Sequence, residues 1–151
     1  MADITTDWLK KKGFKKNDKF FEKKVDNILF GFDLTNGLCW IDGDDVYAMK
    51  KADTEEEVKA IYAVCGFDMK FNRIKAENED DYPITPAWLA MTGFNKRGEH
   101  KWVLIQNRTI KYDTDRNVLS VINGKQGFEG VVKTEDFARK IIDELFVDDI
   151  Y

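Results

Sequence analysis

The chain is short of most residues on which catalytic and metal chemistry is built. It has a single histidine, His100, so no imidazole pair can hold a metal or relay a proton, and any histidine-centred catalysis has to sit at that position. The two cysteines, Cys39 and Cys65, lack the spacing of a zinc site and are read as reduced packing residues rather than a disulfide. Only two prolines occur and 43% of residues are hydrophobic, which excludes a largely disordered chain. No run of about 18 apolar residues appears, and charges interrupt the N-terminal MADITTDWLKKK where a signal peptide needs its apolar stretch. The expectation is a soluble, cytoplasmic protein with no membrane association and no cofactor.

What is present is a repeated string. ITTDWLKKKGF, residues 4 to 14, returns eighty residues later as ITPAWLAMTGF, residues 84 to 94. In the first occurrence Thr5 is an N-cap, Asp7 lies in the first helical turn, Lys10 to Lys12 lie in the last, and Gly13 stops the helix. In the second, Thr85 caps and Pro86 takes the first helical position, where its missing N–H costs nothing.

Beyond each helix the apolar period changes to two. Ile28, Phe30, Phe32 and Leu34 alternate along a strand, Asn36-Gly37 closes a hairpin, Leu38 to Ile41 returns, and Val46 to Met49 continues the meander. Thr54 to Val64 has the capping-box spacing of Thr54 and Glu57, with Val58, Ile61, Tyr62 and Cys65 in one helical stripe. Ile110 and Tyr112 recur in register with Phe30 and Phe32. A one-residue insertion is then read, so that Leu38 and Ile41 match Leu119 and Ile122. Ala138, Ile141, Ile142 and Leu145 close the second copy.

These patterns predict an α+β fold, a tandem repeat of a unit made of a helix, a three-to-four-stranded antiparallel meander and a helix, with the copies related by a pseudo-twofold. The boundaries are residues 1–66 for the first repeat, 67–82 for an extended segment and acidic linker, and 83–151 for the second repeat. A unit this small is marginal alone, so self-association is a further expectation.

W-L-x3-G-F at the start of each copy and the TEEEVKAIYAVCG helix that closes the first resemble small uncharacterised proteins of phages and mobile elements of gut bacteria. That resemblance implies a setting, with a host or phage protein as partner, rather than a reaction. The segment GFNKRGEHKWVLI is similar to the opening of HicA-type mRNA interferase toxins, but Glu99 stands at their serine, so His100 is read as a solvated strand residue.

No acid, base, nucleophile or metal ligand set emerges, and the expectation is a non-enzymatic binding or adaptor protein acting through protein–protein contact. Trp40 and the alternation Phe67, Met69, Phe71 are the candidate partner-binding residues, as apolar groups that the repeat itself does not need. The alternative is nucleic-acid binding through the basic face from Lys10 to Lys24, with Lys10, Lys11, Lys12, Lys15 and Lys16 as its contacts. Against it stand a net charge of −4 and the carboxylates Glu55, Glu56 and Glu57 where double-stranded RNA-binding domains place cations.

Overall fold

In the computed structural model, residues 3–78, 80–106 and 108–146 are described, and the chain divides into two compact units, Met1–Ala76 and Glu77–Tyr151. That division falls inside the 67–82 stretch.

The first unit begins with α1 (Thr6–Lys11), whose first turn is closed by Trp8 N–H donating to the Thr5 hydroxyl oxygen at 3.2 Å. It ends in a two-bond stop: Gly13 N donates to Lys10 O and Phe14 N to Leu9 O, with Gly13 at φ 92°. Five strands follow: β1 (Lys15–Asn17), β2 (Phe20–Val25), β3 (Ile28–Asp33), β4 (Leu38–Asp42) and β5 (Val46–Lys51). They form an antiparallel meander in chain order. Asp33 holds the β3–β4 turn by accepting from Thr35 N, Asn36 N and the Asn36 side-chain amide. The Asn36 amide is the main reason its carboxyl lies below the usual carboxylate range. The unit's last helix, α2 (Glu55–Val64), is capped by Thr54 and Glu57 reciprocally. Its stripe of Val58, Ile61 and Tyr62 is buried, and the Tyr62 ring lies 5.3 Å from that of Phe30, which shares the inner sheet face with Cys39 and Ile41.

The second unit contains α3 (Pro86–Thr92), β6 (Asn95–Lys96), β7 (Lys101–Ile105), β8 (Thr109–Asp113), β9 (Val118–Asn123), β10 (Gln126–Val131) and α4 (Glu135–Arg139). The last helix widens into a π-helical turn, Lys140–Leu145. The strands again pair as neighbours, antiparallel throughout. Arg108 is buried, and its Nη2 donates to the Ile142 carbonyl in the π turn at 2.9 Å. Tyr112 is anchored by its hydroxyl donating to Val132 O at 2.6 Å, and burial pushes that phenol well above its ordinary pKa.

Two expectations are corrected here. The α+β description, a pseudo-twofold tandem of helix, three-to-four-stranded meander and helix, does not hold: among the described residues antiparallel strands dominate, five in each unit, and the helices are short. The strands missing from that expectation include β1 and β6, which are exposed at every residue and carry no apolar alternation. Their pairing comes from the backbone, with Asp18 at φ 59° turning β1 onto β2, and their polar character is what keeps a short outer strand from pairing elsewhere. Nor is there a one-residue insertion. Phe30 opposes Ile41 and Ile110 opposes Val121, so the eighty-residue spacing runs unbroken through β9, and Trp40 corresponds to Ser120. The nearly continuous apolar run Leu38 to Ile41 hid the register, because a one-residue slip exchanges the sheet faces without breaking the run.

Candidate functional site

Cross-strand pairing builds the outer face of the first sheet. Lys15, Glu22, Gly31, Trp40 and Met49 stand side by side across β1 to β5. The Trp40 indole lies on Gly31, so close that a Cβ on that glycine would come within 2.0 Å of the ring. Phe20 meets it edge-on, with centroids 5.4 Å apart and planes at 87°. Bare backbone on one side and a ring on the other hold the half-buried indole in one orientation. Its uncovered part is a rigid apolar surface.

Phe67, Met69 and Phe71 are placed differently. Phe67 is 2% exposed, with its ring 5.1 Å from Phe30 and the Arg73 guanidinium 4.5 Å from its centroid. Phe71, at φ 65°, turns its half-buried ring onto Phe14, Phe30 and Tyr62, and Lys23 Nζ lies 4.1 Å from its centroid. Met69 is half-buried, and its carbonyl accepts from Lys12 Nζ at 3.3 Å. The alternation Phe67, Met69, Phe71 therefore closes the core of the first unit. Trp40 is not brought together with them.

The basic stretch is divided. Lys12 and Lys23 serve the fold, Lys23 Nζ donating to the Lys12 carbonyl at 2.8 Å just past the end of α1. Lys10, Lys11, Lys15 and Lys16 are exposed on α1 and β1.

His100 lies in the turn between β6 and β7, not in a strand, exposed and 3.9 Å from Glu99. Both cysteines are free and buried; burial pushes the Cys65 thiol up to about 12, and burial with the neighbouring Cys65 raises Cys39 further. Neither is a thiolate at neutral pH, which removes them as nucleophiles. Among the described residues no three His, Cys, Asp or Glu side chains gather closely enough to hold a metal ion.

Sequence reasoning missed two features. Glu77, read as part of an acidic linker, accepts through one carboxylate oxygen from Lys133 N, Thr134 N and the Thr134 hydroxyl at 2.6–2.8 Å. It thus takes the place of the reciprocal carboxylate of a capping box at the start of α4, satisfying the N–H of the N-cap residue Thr134 and of Lys133 before it, while Thr134 makes no side-chain cap bond of its own. Nothing local signals this, since the partners are 56 and 57 residues apart. Glu77→Ala is expected to lower stability by about 1–3 kcal/mol, because two backbone donors and a hydroxyl lose their acceptor. Thermal unfolding checks it, and an unchanged Tm would refute the capping role. The second is a groove of about 460 Å³ on the outer face of the second sheet, bordered by Arg97, Lys101, Lys111 and Arg116. Its residues are scattered in sequence and meet only through strand register.

Comparison with known proteins gives no match to this chain, whether to a family model, a curated protein or a solved structure.

Proposed function

We propose that the protein is a non-enzymatic binding protein acting through protein–protein contact, with Trp40, flanked by Phe20 and Met49, as the anchor. The observation that carries this reading is the half-buried indole held on Gly31 with part of its ring uncovered. An aromatic side chain immobilised before binding loses little entropy on docking, which is what interface anchors require. The resemblance of its W-L-x3-G-F segments supports coding by a phage or mobile element and a host or phage protein as partner. No helix among the described residues is long and apolar enough to cross a membrane, and the free buried thiols suit the cytoplasm.

Trp40→Ser, which installs the residue found at the corresponding position of β9, tests the reading. Truncating such an anchor costs about 2 kcal/mol or more, roughly a 30-fold loss of affinity. The expected result is a partner recovered from host lysate by the native protein and lost by the variant, with far-UV circular dichroism unchanged. Recovery of the same partner by both proteins would refute the role of Trp40.

The exposure of Lys10, Lys11, Lys15 and Lys16 supports nucleic-acid binding as the second reading. It requires affinity that falls steeply with salt.

A further inference from the structure

We infer that the outer face of the second sheet, in Glu77–Tyr151, is a docking groove for an acidic peptide segment in extended conformation. Trp40 is not part of this surface. Strand register assembles it: Val103, Lys111, Ser120 and Glu129 stand side by side across β7 to β10, and Lys101, Asp113, Val118 and Val131 form the next row. Arg97 reaches the groove from the β6–β7 turn and Arg116 from the β8–β9 turn. Its volume, about 460 Å³, lies within the ~300–1,000 Å³ range of ligand sites.

The occupant follows from charge and shape. Arg97, Lys101, Lys111 and Arg116 are all exposed, and none forms an ion pair among the described residues. Of the two carboxylates present, Asp113 is engaged in its own turn, accepting from Asp115 N at 2.9 Å and Arg116 N at 3.2 Å. The groove therefore carries four cations against two carboxylates, Asp113 and Glu129, and its lining is net positive even though the Arg116 backbone N–H and charge help hold the Asp113 carboxyl below the usual carboxylate range.

Between the cations the floor is aliphatic, with Val103, Val118 and Ile122. An extended peptide presents alternate side chains to one face, so acidic residues meeting the cations can alternate with aliphatic residues meeting the floor. A nucleic acid fits less well: the aromatic residues of the groove, Trp102 and Tyr112, are 9% and 2% exposed and leave no platform for base stacking.

Fluorescence anisotropy with three labelled probes tests the inference: a peptide alternating Glu with Val, its Lys-for-Glu counterpart, and single-stranded DNA of matched charge. The full chain is expected to bind the acidic peptide saturably and not the basic one. Lys101→Glu/Lys111→Glu should weaken binding at least tenfold, while Lys125→Glu/Lys140→Glu, with the same net charge, should leave it unchanged. All four lysines are exposed, and circular dichroism confirms folding of each variant. Absence of saturable binding up to millimolar peptide, equal loss in both double variants, or tighter binding of the DNA would overturn the proposal. A dimer in sedimentation that Lys101→Glu/Lys111→Glu dissolves would also overturn it, assigning the face to a second copy of the chain.

Discussion

Phe30→Ala is expected to destabilise the protein by about 3–5 kcal/mol, the usual cost of deleting a fully buried phenylalanine. Phe30 is 0% exposed and lies where β3 meets everything packed on it: Tyr62 of α2 at 5.3 Å, Phe67 at 5.1 Å and Phe71 at 5.0 Å, measured between ring centroids. Its neighbour across the strands is Ile41, itself fully buried. Rings fixed by helix, strand and return segment cannot all collapse into one vacancy, so the cavity term should be near its upper range. A unit of this size has only roughly 0.05–0.15 kcal/mol of stability per residue, and the loss is comparable to the whole. Urea unfolding and amide exchange in β2 to β4 measure it. Ile105→Ala, at a side chain 67% exposed, is the control and should change stability by less than about 0.5 kcal/mol. If the two variants unfold alike, the aromatic cluster does not hold the first unit together.

The second large effect is expected from one added methyl. Gly31→Ala places a Cβ 2.0 Å from Trp40 Cε2 and 2.3 Å from both Cζ2 and Nε1. The ring is stiff and the glycine sits in a regular strand, so the indole has to swing away from the sheet. The overpacking should cost about 1–3 kcal/mol. The displaced ring should show red-shifted emission and easier quenching by acrylamide, read as the difference from a Trp40→Phe background. At Gly98 the nearest atom to an added Cβ is 3.7 Å away, so Gly98→Ala should be silent. Emission from Gly31→Ala indistinguishable from the native protein would mean that Trp40 does not rest on that glycine, and the anchor proposed for partner binding would lose its basis.

The local signals were legible because they are set by neighbours in the chain. Thr5, Thr85 and the Thr54–Glu57 pair cap their helices, and Gly13 stops α1 through the backbone bonds of Phe14 and Gly13. Thr134 is the exception, because a carboxylate from 57 residues away takes its hydroxyl. The candidate surface was partly legible: an unneeded tryptophan drew attention to Trp40, whereas the apolar alternation of Phe67, Met69 and Phe71 gave no sign of which way it would fold. Phe71 adopts a positive φ that turns its ring inward, and that conformation is stable only because Phe14, Phe30 and Tyr62 are there to receive it.

By itself the amino-acid sequence determined where helices start and stop, which strand residues alternate, and the eighty-residue recurrence of W-L-x3-G-F. These are consequences of capping, backbone preference and period, and they act over a few residues. Only the tertiary structure decided that β1 and β6 are strands, that Trp40 opposes Gly31, that Glu77 caps α4, and that Arg97, Lys101, Lys111 and Arg116 border one groove. The physical reason is common to all four. Strand pairing and long-range hydrogen bonds are chosen by the total burial of the sheet, and a polar strand or a charged groove contributes no apolar periodicity by which the choice could be read in advance.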